Sequence, residues 1–395
     1  MKTKVAIIIE RADVELGGAE RSVSELAEAI GAIGYETHIL AAKGRAVKEN
    51  VHILCGGLQG KRTDYKVFAD ALGKHIESNR YDIIHSVLPF DFADIYQPRS
   101  GTYGETIIRK AATYRWPVLR VIKRQTAFLN FRRAAWFNAE RQLASAQSGP
   151  LIIAISNYVA EQFITHYHTI EKRIIVIPNG IKPAPAVDAS RVNSIRANLL
   201  GQSGTQGPDK PVLFFFAGHD FRRKGLDCLV QAMGLLQARN NHTPARVIVA
   251  GRANPAVCKR MAQKLNIEDK IQFLGAVDSI QDLIAATDVA VLPTFDDPCS
   301  RFILEALAAG KPVITTKFNG ATDLFINNRH GRSIDDPRDI TSLADAIEYF
   351  TNYDNLLKAQ NAIISDNLRR NVSVARVAEQ LGVVYDSIMG KRKQR

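Results

Sequence analysis

A chain of 395 residues with 46% hydrophobic and 23% charged side chains has material for about two cores, since a single core stops growing near ~250–300 residues. Lysine and arginine exceed acids by 52 − 40 = 12, which points to an acidic partner: phosphorylated substrate, anionic lipid or nucleic acid. Cys55, Cys228, Cys258 and Cys299 make no CxxC or CxxxH pattern, so zinc and disulfide frameworks are not indicated; no signal-peptide pattern opens the sequence and no apolar run reaches the ~18 residues that span a bilayer, so a cytoplasmic protein with at most peripheral membrane contact is expected.

VAIIIE reads as a first strand, and a Gly17-Gly18 turn leads into a helix whose Val23, Leu26, Ala27 and Ile30 recur at helical spacing. Gly17 and Gly18 permit close backbone approach to a phosphate or sugar, although an ordinary strand-to-helix turn has the same form. YETHIL, VHIL and DIIHSVL supply further strands, with a helix over residues 64–78, so the first half alternates β and α as a doubly wound sheet does. Beyond DIIHSVL stand Arg99 and Ser100, neither of which is a base at neutral pH.

Residues 105–143 are atypical. From 106 to 139 there are eight basic residues, among them Arg109, Lys110, Arg115, Arg120, Lys123, Arg124, Arg132 and Arg133, and no acid. Both tryptophans, Trp116 and Trp136, lie here beside Tyr114, Phe128, Phe131 and Phe137. After Pro117, an apolar stripe of Ile122, Leu129, Trp136 and Leu143 recurs every seven residues. Such a basic, aromatic surface suits an anionic membrane, with Trp116, Lys123, Arg124, Arg132, Arg133 and Trp136 as the membrane-binding residues. The alternative is a stripe packed on the sheet beneath solvated charges. Nucleic acid is not expected, because no recognised nucleic-acid fold accompanies the segment.

LIIAIS, a helix over 158–168 and RIIVIPNGI close the first half. His166 and His168 lie two apart on that helix and make a poor metal pair. A Pro-, Ala-, Ser- and Gly-rich stretch over 182–210 reads as a linker with an attached helix, placing a boundary near 180. The expected division is an acceptor-side domain over 1–180, a nucleotide-sugar-binding domain over 181–370, and a helix in 371–395 that crosses back to the first domain and ends in the basic, disordered tail KRKQR.

PVLFFFAGHDFRRKGLDCLVQAMGLL is a strand, a turn and a helix, with Arg223 and Lys224 in the turn beside Gly218, placed to meet a diphosphate. RVIVAG and KIQFLGAV are strands, and a helix over 279–287 precedes DVAVLP, a buried parallel strand stopped by proline. Ser300 is positioned as N-cap of a helix that ends at Gly310-Lys311-Pro312. The free N–H groups of Ser300, Arg301 and Phe302, with the helix dipole, favour an anion. Asp297 and Glu305 stand eight apart, about two turns at ~1.5 Å per residue, so they reach different hydroxyl-rich parts of one ligand.

DPCSRFILEALAAGKP resembles the acidic-x7-acidic motif of retaining glycosyltransferases of family 4, and GHDFRRKG is similar to that family's G-x-D-F-x-R-K-G pattern. The likeness covers almost the whole chain and is nearest to the lipopolysaccharide-core α-glucosyltransferase group. Asp297 stands where glutamate is more usual. The resemblance implies an α/β chain of two Rossmann-like domains facing across a cleft, the GT-B fold. It implies that Asp297 contacts the donor sugar, Glu305 the ribose, Arg223 and Lys224 the leaving diphosphate, and backbone around Leu274 the base. Gly17 and Gly18 lie in the donor-facing loop, and Arg99 lies where relatives carry a histidine or aspartate facing the reacting centre. The implied reaction is retaining, metal-independent transfer of a hexose from a nucleotide-sugar, UDP-linked, to a glycolipid or polysaccharide acceptor such as lipopolysaccharide core, at the inner face of the plasma membrane. No cofactor or metal is expected, since the nucleotide-sugar is a substrate. Two other functions fit the architecture: a sugar-nucleotide epimerase, which needs acids and histidines where Arg99 and Ser100 stand, and a catalytically silent membrane scaffold.

Overall fold

The computed structural model describes residues 2–13, 17–46, 48–56, 63–201, 210–240 and 243–393. The chain divides into two compact units, Met1–Lys182 with Ser373–Arg395, and Pro183–Val372.

The first unit runs β1 (Lys4–Arg11), α1 (Gly18–Ala32), β2 (Glu36–Lys43), β3 (Val51–Ile53), α2 (Tyr65–Ser78), β4 (Ile83–Ser86), β5 (Ile95–Tyr96), α3 (Tyr103–Ala112), α4 (Pro117–Gln125), α5 (Phe131–Ser145), β6 (Leu151–Ala154), α6 (Asn157–Tyr167) and β7 (Ile174–Val176). Its strands lie in the order β3-β2-β1-β4-β5-β6-β7, and every pair is parallel. Burial on both faces explains the unbroken apolar run of β1, where Val5 through Ile8 are fully buried.

The second unit runs α7 (Ala189–Leu200), β8 (Val212–Ala217), α8 (Leu226–Arg239), β9 (Ala245–Ala250), α9 (Ala256–Lys264), β10 (Ile271–Gly275), α10 (Ile280–Ala286), β11 (Val289–Leu292), α11 (Arg301–Ala308), β12 (Val313–Thr316), β13 (Gly331–Ile334), α12 (Ile340–Thr351), α13 (Tyr353–Ser365) and α14 (Leu368–Asn371). Its all-parallel sheet has the order β10-β9-β8-β11-β12-β13. Parallel strands joined by helices give each unit the doubly wound, Rossmann-like form, whose carboxyl edge is where ligands bind.

The chain then re-enters the first unit as α15 (Val374–Lys393). Its buried Val377, Ala378, Leu381 and Tyr385 share one core with Val23, Leu26 and Ile30 of α1. The expected tail is helical as far as Lys393, because Arg392 hydrogen-bonds the Asp82 carbonyl and pairs with Asp94; residues 394–395 and the part of the expected linker over 202–209 lie outside the described residues.

The 105–143 segment is not one helix carrying one stripe. Pro117 starts α4, a short 3-10 turn spans Thr126–Leu129, and Asn130 caps α5 by accepting from Arg133 N at 3.0 Å. Leu381→Ala should lower the unfolding free energy by about 2–5 kcal/mol, whereas Val383→Ala on the exposed face of the same helix should change it by less than about 0.5 kcal/mol. Urea denaturation of the two variants checks this, and equal losses would remove α15 from the first unit's core.

Candidate functional site

Three loops meet beyond the carboxyl edge of the second sheet. The loop after β8 turns through Arg223 and Lys224 to Gly225, whose φ of 76° is left-handed and whose added Cβ would come 2.0 Å from the Pro293 carbonyl oxygen. Only glycine fits there, so this loop lies directly on the loop after β11. Phe295 N and Thr294 Oγ1 donate to the Arg223 carbonyl at 2.9 and 3.2 Å, closing the two together.

The loop after β12 joins them through Asn319. This fully buried side chain accepts from Ser300 N and Ala321 N, both at 3.1 Å, and donates to Thr315 Oγ1 at 2.9 Å. Asp297 N donates to the Phe318 carbonyl and Gly320 N to the Asp297 carbonyl, each at 2.9 Å. Asp297 therefore has a fixed backbone, and its Oδ2 receives Lys224 Nζ at 2.5 Å, with 14% and 13% of the two side chains exposed. Arg223 is more open, 3.8 Å from Asp220 and 4.0 Å from the buried carboxylate of Asp296.

The structure thus brings Gly218, Arg223, Lys224, Asp297, Ser300, Arg301, Phe302 and Glu305 to one edge of one sheet. Glu305 lies on α11, 3.6 Å from Arg301 one turn earlier. Leu274 sits near the end of β10, where Gly251 N donates to the Gly275 carbonyl at 2.7 Å. One expectation is corrected: Ser300 N–H is not free, because Asn319 takes it, and the hydroxyl of Ser300 caps nothing. The N–H groups of α11 left outside its i→i−4 ladder begin at Arg301, since the first such bond is Leu304 N to the Ser300 carbonyl. Neither Asn319 nor Asp296 is singled out by the sequence reading; the signal for Asn319 is the Asn-Gly pair that opens NGATDLF, a turn signal whose amide can bond nearby backbone.

In the first unit, Gly17 precedes α1 and its carbonyl accepts from Arg21 N at 3.3 Å. Arg99 Nη1 donates to Asn179 Oδ1 at 2.6 Å and to Ser22 Oγ at 3.2 Å, tying the segment after β5 to α1 and to the segment after β7. Ser100 is exposed. His85 lies on β4, fully buried; desolvation first, and the positive charge of Arg99 second, push its imidazole down to about 3. It is neutral at physiological pH, and its Nδ1 lies 2.7 Å from Tyr385 Oη of α15.

The surface segment is corrected at two positions. Trp136 is 2% exposed and packs edge-on against Tyr65 and Phe90, so it is a core residue. Arg132 is turned to Glu10 and the Thr63 carbonyl, which compensates its charge internally. By contrast α4 buries none of its residues, and around it Trp116 is 66%, Val118 69%, Leu129 74% and Phe131 88% exposed, beside exposed Lys123 and Arg124 and half-buried Arg133. The side chain of Phe128 lies outside the described residues.

Two family models divide the chain much as its two sheets do: "Glycosyltransferase Family 4" matches residues 16–184 and "Glycosyl transferases group 1" matches residues 203–366. The chain belongs to the family 4 glycosyltransferases. This glycosyltransferase is 23% identical over 327 residues to the lipopolysaccharide glucosyltransferase WaaG of Escherichia coli strain K12, covering 81% of this chain and 82% of the relative. A D-inositol 3-phosphate glycosyltransferase of Streptomyces avermitilis is 22% identical, covering 80% and 72% of the two chains. Among solved structures, a crystal structure of WaaG, a glycosyltransferase involved in lipopolysaccharide biosynthesis, superposes with a TM-score of 0.72 over 98% of this chain and 100% of the other, at 19% identity. A structure of Anabaena Alr3699/HepE in complex with UDP and glucose gives 0.69 over 98% and 100%, at 17% identity. Their common fold, and the two all-parallel sheets of this glycosyltransferase, are the GT-B architecture.

Behind the Arg99 segment, Glu140 of α5 is fully buried. It accepts from Tyr96 Oη at 2.7 Å, Tyr103 N at 2.7 Å and Tyr167 Oη at 2.5 Å, so one carboxyl group anchors both ends of residues 96–103. Burial raises this carboxyl from 4.5 to about 7 against those donors. A folded value above the unfolded one means that its stabilising contribution is complete below about pH 4.5 and is lost as pH rises toward about 7. Glu140→Gln should flatten the fall in thermal stability over that window, measured by calorimetric scans at several pH values. An identical slope in the variant would place the titration elsewhere.

Proposed function

We propose that this glycosyltransferase moves a hexose from a UDP-sugar to a glycolipid or polysaccharide acceptor such as lipopolysaccharide core, with retention at the anomeric carbon and without a metal. The observation that carries the reading is the set of charges at the second sheet's edge. Arg223 and Lys224 stand beside the N-terminus of α11, where backbone dipoles favour an anion, and supply positive charge for a diphosphate. Glu305 and Asp297 offer carboxylates to the ribose and the sugar. Support for the chemistry comes also from a relative named as a glucosyltransferase and from a neighbour bound to UDP and glucose.

In the proposed step, the bond from the sugar's anomeric carbon to the diphosphate oxygen breaks and a bond to an acceptor oxygen forms on the same face. The acceptor's proton passes to a donor phosphate oxygen, because Arg99 is already protonated and His85 is buried and neutral. Lys224 leaves Asp297 in part for the diphosphate as the charge on it grows, which frees Asp297 for the sugar.

Glu305→Ala should weaken UDP binding at least about tenfold, the equivalent of a lost charge-assisted hydrogen bond of roughly 1.5–3 kcal/mol, by isothermal titration calorimetry. Replacing Arg223 by Ala should lower turnover by around 10²-fold, more than it weakens donor binding. EDTA should leave turnover unchanged, and NMR of the first product formed should show the donor's anomeric configuration. Unaltered UDP affinity in the Glu305 variant, or an inverted product, defeats this assignment.

Reversible docking on anionic membrane is the second part of the proposal, supported by the unburied α4, the exposed Trp116, Leu129 and Phe131 that flank it, and the adjacent cations. No helix among the described residues is long and apolar enough to cross a membrane. Exposed basic residues contribute roughly 1 kcal/mol each at such a surface, screened over about a Debye length of salt. Vesicles containing anionic lipid should co-sediment the protein at low salt. Exchange of Lys123, Arg124 and Arg133 for Gln should abolish this, and Trp116→Ala should weaken it, while Arg132→Gln chiefly perturbs the fold around Glu10. Equal sedimentation with neutral vesicles would refute it.

A further inference from the structure

The second unit holds a cavity remote from the edge just described. Gly331 begins β13, which runs parallel to β12, so the cavity's mouth lies at the amino-terminal end of the sheet's edge strand, opposite the loops that carry Asp297 and Lys224. Its volume is about 290 Å³, and its lining includes Arg329, Tyr349, Phe350, Lys358, Ala359 and Ala362.

The charges around it do not cancel. Arg329 forms a two-pronged pair with Asp366, Nε to Oδ2 and Nη2 to Oδ1 both at 2.7 Å, and His330 Nε2 lies 2.7 Å from the same carboxylate. Those hydrogen bonds, Arg329 first, hold the Asp366 carboxyl well below its usual range, so its single negative charge is committed. Lys358 has no ion pair among the described residues, and the guanidinium of Arg332 lies 3.8 Å from the centroid of the Tyr349 ring, likewise with no carboxylate partner among them. Glu348, next to Tyr349, turns to Arg239 at 3.7 Å. Of the two cations that line the cavity, Arg329 is spent on Asp366 and Lys358 is left over, with the Arg332 guanidinium stacked on the Tyr349 ring.

The remaining walls are small and apolar. Ala359 and Ala362 on α13 leave space where larger side chains would fill it, and Tyr349 and Phe350 offer ring surface. A pocket that joins an uncompensated ammonium and a guanidinium to an aromatic wall, near the lower end of the ~300–1,000 Å³ typical of ligand sites, fits an anionic group on a compact ring body. The geometry points to a second ligand site here, for a small phosphorylated sugar of hexose-phosphate size. It is too small for a whole sugar nucleotide, which separates its ligand from the donor. This site is independent of the transferase reading.

The test is isothermal titration calorimetry of the full chain with glucose 6-phosphate in the presence of saturating UDP, at fixed ionic strength. One saturable site is expected, with inorganic phosphate binding more weakly. Lys358→Glu, at an exposed position, and Ala362→Leu, which fills the cavity, should each weaken glucose 6-phosphate roughly tenfold or more and leave UDP affinity unchanged. Absence of saturable binding, equal affinity in both variants, or loss of binding on adding UDP would overturn the proposal, the last by placing the sugar phosphate in the donor site. Inorganic phosphate binding as tightly as glucose 6-phosphate would remove the sugar from it.

Discussion

The ion pair between Lys224 and Asp297 is the constraint on which the rest of the second unit's edge depends. Two charges with 13% and 14% exposure have lost most of their hydration, and only their mutual attraction and their hydrogen bonds offset that cost. Removing either partner leaves the other stranded, which destabilises by more than the pair is worth. The surrounding backbone is accordingly over-determined: Gly225 permits the approach of two loops, and Asn319 ties the third to the start of α11. A ligand with negative charge can take over part of Lys224's attraction without moving that framework. Preorganisation of this kind is what electrostatic catalysis needs, since the donors are already aimed and no reorganisation is spent at the moment of reaction.

The first unit solves a similar problem with neutral groups. Arg99 follows β5, and it is held by the amide of Asn179 and the hydroxyl of Ser22. His85, close enough to feel Arg99, stays uncharged because it is fully buried. Glu140 then anchors the two ends of the intervening chain from behind through two tyrosines and a backbone amide. The segment bearing Arg99 is rigid for reasons that lie in side chains distant in sequence.

That distance marks the limit of what could be read from the sequence. Both sheets were legible, because fully buried parallel strands such as VAIIIE and VLFFFA are continuous apolar runs with glycine or proline at their ends. The edge residues of the second unit were legible through spacing, as in Asp297 and Glu305, where both ends of the pattern sit on one loop and its helix. Ser300 failed because its partner, Asn319, comes from a different loop. Trp136 and Arg132 failed because a seven-residue repeat presumes one unbroken helix, and Pro117 and Asn130 divide that stretch into pieces with different faces. Exposure of Trp116 and burial of Trp136 therefore coexist within a segment of uniform composition.

α15 carries a consequence for the making of the protein. Its Val377, Leu381 and Tyr385 are part of the core that also holds α1, so an early helix is completed by one about 350 residues later in the chain. A ribosome releases the second unit in full before α15 emerges, and domains fold as units during synthesis. The second unit can thus mature while the first still exposes the face of α1 that α15 will cover. That interval leaves an apolar surface open on the nascent chain, and a stop codon shortly before Ser373 would make it permanent.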